Sequence, residues 1–123
     1  GLKVLLVEDN VQVRDFAAEL LEDLRCEVVT ANDAAEALVA LRNHDFDLVF
    51  SDVIMPGMSG LELARRLAEL RPELPVLLAT GFSENLASSG PGAFNVVAKP
   101  YDVASLARGI AAAAAGKQQG SDS

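Results

Sequence analysis

Tryptophan is missing from this chain of 123 residues, and aromatic side chains make up only 5% of it. Half of the residues are hydrophobic, so valine, leucine and alanine must fill any core. A single cysteine, Cys26, rules out an internal disulfide and fits a reducing compartment. It precedes the β-branched stretch Glu27-Val28-Val29 and reads as a small buried thiol. A single histidine, His44, lies in the turn Asn43-His44-Asp45 and reads as a solvated turn residue. One cysteine and one histidine far apart in sequence offer no zinc site. No apolar run nears the roughly 20 residues needed to cross a bilayer, and no signal peptide opens the chain. The expected setting is cytoplasmic, with no membrane contact by this segment. Positive charge is also scarce: 10 basic against 18 acidic residues leave a net charge of −8. Such a surface repels phosphate backbones, so direct nucleic-acid binding is not expected.

The length suits one domain and not two. The chain begins with Gly1 rather than methionine, which suggests a segment of something longer. Within it, short apolar runs alternate with helical patterns. Residues 2–7, 27–31, 46–51, 76–80 and 95–98 read as strands. Residues 11–24 space Val13, Phe16, Ala17, Leu20, Leu21 and Leu24 as one helical face. Asp33 caps a helix to about Arg42, Ser59 caps a helix over 60–70, and Asp102 caps a last one from Val103 to about Ala115. Strict strand–helix alternation implies a parallel sheet covered on both faces. Right-handed crossovers narrow this to an α/β, doubly wound, five-stranded, flavodoxin-like three-layer sandwich. Between Thr80 and Asn95 only residues 83–89 can form a helix, so the fourth helix is expected to be short. The domain is expected to span 1–116, with 117–123 a flexible tail.

Ligands of open parallel sheets bind at the carboxyl ends of the strands. The first run there delivers Glu8-Asp9, the third Asp52, the fourth Thr80 and the fifth Lys99. Three carboxylates at one rim repel unless a cation or a proton is shared. A hard cation with oxygen ligands and waters fits, so Mg²⁺ is favoured. A carboxylate can attack phosphorus and form an acyl phosphate. A metal and a lysine would then neutralise the transferring group.

Glu8-Asp9, the block Asp52-Val53-Ile54-Met55-Pro56-Gly57, Thr80-Gly81 and Lys99-Pro100 together resemble the receiver domain of two-component response regulators. The likeness runs over residues 3–115. It implies that Asp52 is the phosphoacceptor, that Asp9 binds Mg²⁺ directly and Glu8 mainly through water, and that the Ile54 carbonyl also contributes to the metal. It implies further that Thr80 is the switch hydroxyl and Lys99 its salt-bridge partner. The phosphoryl donor would be a histidine kinase or a histidine phosphotransfer domain.

Two departures from the family pattern stand out. The aromatic residue usual three positions before the lysine is Val96 here, and Phe94 and Tyr101 are out of register with it. The segment from Thr80 to Lys99 is short, which argues against the family's dimer mode through helix four, strand five and helix five, so a monomer is expected. The residues two after the phosphoacceptor and two after the threonine line the path of the hydrolytic water in the family. Here they are the apolar Ile54 and Phe82, which implies slow self-dephosphorylation at most. The blocks Leu48 to Gly57 and Leu77 to Ser83 resemble receivers at the C-terminus of hybrid sensor histidine kinases, with a stand-alone single-domain regulator as the alternative. A haloacid-dehalogenase-like phosphatase would want an aspartate where Ile54 stands. An FMN-binding flavodoxin-like protein would want a Ser/Thr/Gly loop where Glu8-Asp9-Asn10 stands.

Overall fold

A computed structural model of the chain describes residues 1–81 and 94–122, with side chains to Ala115. Five parallel strands form one sheet in the order β2-β1-β3-β4-β5. They are β1 (Lys3–Val7), β2 (Glu27–Ala31), β3 (Leu48–Asp52), β4 (Val76–Thr80) and β5 (Asn95–Ala98). The described helices are α1 (Val11–Asp23), α2 (Ala34–Asn43), α3 (Gly60–Leu70) and α4 (Val103–Asp122).

Both faces of the sheet are covered, which explains why its central strands are continuous apolar runs. Alternate strand residues point to opposite layers. Leu5, Val7, Val49 and Leu78 pack with Ala37 and Leu41 of α2 and with Leu63, Ala64 and Leu67 of α3. Val4, Leu6, Leu48, Phe50 and Leu77 pack with Ala17 and Leu21 of α1 and with Leu106 and Ile110 of α4. Burying one such leucine fully contributes roughly 1.5–3 kcal/mol.

Each helix starts where a short polar side chain can satisfy a free amide. Asn10 accepts from Val13 N at 3.0 Å, Asp33 from Glu36 N at 2.8 Å, and Ser59 from Glu62 N at 3.1 Å. At α4 the cap is reciprocal: Asp102 Oδ1 accepts from Ser105 N at 2.8 Å, and Asp102 N donates to Ser105 Oγ at 2.9 Å.

Several boundaries differ from the sequence pattern: β1 starts at Lys3 rather than 2, and α1 ends at Asp23 rather than 24. β3 starts at Leu48 rather than 46, because the Asp47 carboxylate turns back to accept from Lys3 N at 2.8 Å. It also runs one residue further, so Asp52 is its last member. Helix α4 passes Ala115 and continues to Asp122. Five consecutive alanines at 111–115 are strong helix formers, and no proline follows to stop them. Cys26 is half-buried rather than enclosed, and burial pushes its thiol pKa up. The short helix expected at 83–89, and Phe82, lie outside the described residues.

Candidate functional site

Strand order brings the ends of β1, β3, β4 and β5 side by side. Glu8 N donates to Ala31 O of β2 at 3.0 Å, which holds the residue in the sheet plane after β1 ends. Its side chain turns inward, and the residue is 5% exposed. Asn10 N donates to Glu8 Oε2 at 3.0 Å, folding the loop before α1 over the carboxylate. Asp9 stays exposed. Burial pushes the Glu8 carboxyl up to about 7, aided by the carboxylates of Asp52 and Asp9 within hydrogen-bonding reach. The Asn10 amide opposes the shift without cancelling it.

Asp52 is fixed through its backbone and both carboxylate oxygens. Lys99 Nζ donates to Oδ2 at 2.7 Å, and Ile54 N reaches Oδ1 at a long 3.4 Å. The Asp52 side chain is only 10% exposed. Ser51 Oγ donates to the Asp52 carbonyl at 2.9 Å, and Val53 N donates to Ala79 O of β4 at 3.2 Å. After β3 the chain turns through Gly57, whose φ of 77° suits glycine. It returns at Gly60, whose amide donates to Val53 O at 2.7 Å. A Cβ on Gly60 would lie 1.9 Å from the Asp52 carbonyl oxygen. The first residue of α3 therefore rests on the backbone of Asp52, and no larger residue fits.

Lys99 follows β5 and is tied to β4 by its amide, which donates to Thr80 O at 2.7 Å. The bond to Pro100 is cis. Thr80 is buried at the end of β4, in register with Ala98. Glu8, Asp9, Asp52, Thr80 and Lys99 thus sit at one rim, and Lys99 contacts Asp52 directly. Ile54 stands above them with its side chain in solvent, 63% exposed. Among the described residues no three acidic, histidine or cysteine side chains close into a finished metal cage. The donor chemistry nonetheless suits a hard divalent cation: oxygens only, where burial first and the neighbouring carboxylates second already drive Glu8 toward holding a proton.

Three contributors are less visible in sequence. Gly60 is one, since a glycine opening a helix hints at close backbone approach but not at which backbone it meets. Ser51, which bonds the Asp52 carbonyl, gives no sequence signal. Tyr101 is the third. Its ring centroid lies 5.6 Å from that of Phe50 and 6.1 Å from that of Phe16. Burial first, then the charges of Glu8 and Asp52, push its phenol up to about 12. Tyr101 packs on the α1/α4 side of the sheet, whereas Phe94 packs on the α2/α3 side and Val96 is exposed on β5.

The family model for the response regulator receiver domain matches residues 4–111. The chain is 34% identical over 111 residues to the response regulator receiver protein CpdR of Brucella abortus, covering 88% of this chain and 92% of that protein. It is 39% identical over 82 residues to the CAI-1 autoinducer sensor kinase/phosphatase CqsS of Vibrio cholerae, covering 64% of this chain and 12% of that one. The crystal structure of the receiver domain of NtrX from Brucella abortus superposes with a TM-score of 0.81 at 32% identity, covering 90% of this chain and 97% of that one. Against several longer curated relatives the chain spans about a quarter of their length or less.

Proposed function

Because this chain belongs to the response regulator receiver domain family, we propose that it takes a phosphoryl group from phosphohistidine onto Asp52. The donor is a histidine kinase or a histidine phosphotransfer domain. An Asp52 carboxylate oxygen attacks phosphorus. The phosphorus–nitrogen bond breaks and its electron pair returns to the donor imidazole. The observation that carries this reading is the 2.7 Å contact of Lys99 with Asp52 at the rim where Glu8 lies buried. Lys99 is already close enough to follow the negative charge as it spreads onto the phosphoryl oxygens. Glu8, Asp9, Asp52 and the carbonyl of Ile54 would hold Mg²⁺, which when bound supplies charge neutralisation for the incoming group. Thr80 would donate its hydroxyl to a phosphoryl oxygen and draw the following loop with it.

The apolar Ile54 beside Asp52 gives no group to orient an attacking water. This supports a long-lived acyl phosphate and a domain that is at most a slow phosphatase of itself. The double change Ile54→Asn with Phe82→Glu is expected to shorten the half-life, and an unchanged decay would end that part of the proposal. The acidic surface supports a domain that binds no nucleic acid, and the short segment between Thr80 and Lys99 supports a monomer.

For the parent protein we favour a hybrid sensor histidine kinase, supported by the likeness to CqsS. A stand-alone cytoplasmic regulator is the second reading, favoured by the near-complete coverage of CpdR. The length of the parent gene decides between them. The central test is labelling with acetyl phosphate with and without Mg²⁺, read by intact mass. Wild type should gain one phosphoryl group only when Mg²⁺ is present. Equal labelling of Asp52→Asn would overturn the assignment.

A further inference from the structure

On the face of the sheet away from Tyr101, α2 and α3 leave an open groove of about 300 Å³. It is lined by Leu38, Leu41, Arg42, Leu67, Leu70 and Arg71. Leu41 and Leu67 form a buried floor, while Leu70 stands 66% exposed at the edge. Leu70 thereby extends the apolar floor of the groove to its solvent edge. The two polar lining residues are both arginines, on a chain whose net charge is −8. Arg71 is held in place, donating to the Leu41 carbonyl at 2.9 Å. Among the described residues no carboxylate forms an ion pair with either arginine.

An apolar trough flanked by unneutralised guanidinium groups has a definite complement. We propose that the α2–α3 groove receives an acidic amphipathic helix of a partner protein. Leucine-like residues at i, i+3/i+4 and i+7 would enter between Leu41, Leu67 and Leu70, and flanking carboxylates would meet Arg42 and Arg71. This surface is separate from the phosphoacceptor rim, so the proposal stands apart from the assignment of Asp52.

The test uses a fluorescein-labelled helical peptide with leucines at those spacings and glutamates beside them, and a twin carrying lysines instead. Binding is read by fluorescence anisotropy and mapped by backbone amide shifts. The glutamate peptide should bind about tenfold more tightly than its twin, and less tightly as salt rises. Arg42→Glu and Leu70→Glu, tested separately, should each weaken it roughly fivefold or more. Both positions are exposed, so helix content and Asp52 labelling should match wild type. Shifts should cluster on α2 and α3. Equal affinity for the two peptides, indifference to both substitutions, or shifts centred on α1 or α4 would overturn the proposal. So would self-association of the chain through the groove in place of peptide binding.

Discussion

The sheet carries a lysine–carboxylate pair at each end, and the two pairs behave differently. At the end where the strands begin, Lys3 Nζ lies 3.9 Å from Glu27, whose side chain is 71% exposed. The Lys3 ammonium also sits 5.3 Å from the centre of the Phe46 ring, so it has partners without needing that carboxylate. At the end where the strands finish, Lys99 meets Asp52 at 2.7 Å, with the aspartate side chain 10% exposed. There a second carboxyl, Glu8, is driven toward protonation by its burial, with the neighbouring carboxylates adding to the shift. Solvated pairs like the first contribute about 0–1 kcal/mol. The second pair sits among like charges that a fold selected for stability alone would avoid. Unfavourable electrostatics gathered at one rim support the proposal that chemistry belongs to that end of the sheet.

The sharpest way to separate the two ends is to remove their carboxylates. Asp52→Asn should abolish acetyl-phosphate labelling, whereas Glu27→Gln should leave labelling at the wild-type level, both read by intact mass. Gly60→Ala comes next. The added methyl meets the Asp52 carbonyl, and overpacking of this kind costs typically about 1–3 kcal/mol. Urea unfolding should show that loss, with labelling impaired because Asp52 has been pushed out of place.

Glu8→Gln inverts the usual expectation for a polar loss. Removing a crowded carboxylate should raise the melting temperature of the metal-free protein while weakening Mg²⁺ binding. A pH series checks the cause. With its pKa at about 7 in the fold against 4.5 outside it, Glu8 holds its proton longer in the folded state. The metal-free protein should therefore lose stability as pH rises from about 4.5 to 7, and Glu8→Gln should flatten that slope. The smallest effect belongs to Lys3→Met, about 0.5 kcal/mol or less, because the pair it breaks is solvated. A larger loss there would erase the contrast between the two ends.

Much of the architecture is legible in the residues. Apolar runs of strand length between capped amphipathic helices leave few arrangements open, and Asp33, Ser59 and Asp102 announce their helices by side-chain chemistry alone. The rim is legible for a related reason: charged residues directly after buried strands have nowhere to sit except the strand ends. Other features depend on three-dimensional approach. Nothing in the order of residues says that Gly60 touches the backbone of Asp52, or that Tyr101 fills the space between Phe50 and Phe16. Helix α4 runs through Gly116, whose low helix propensity does not stop an alanine-rich helix. The arginine-edged groove joins α2 to α3 across about thirty residues of chain, a pairing that periodicity within each helix does not reveal.

Helix α3 begins pressed against Asp52 at Gly60, and its far turn supplies Leu67 and Leu70 to the groove. Eleven residues at 1.5 Å each make a rod about 16 Å long. Its near end packs directly on the backbone of Asp52, with no room for a side chain between them. One helix thus touches Asp52 at one end and lines the opposite cleft at the other, although no side chain spans the distance.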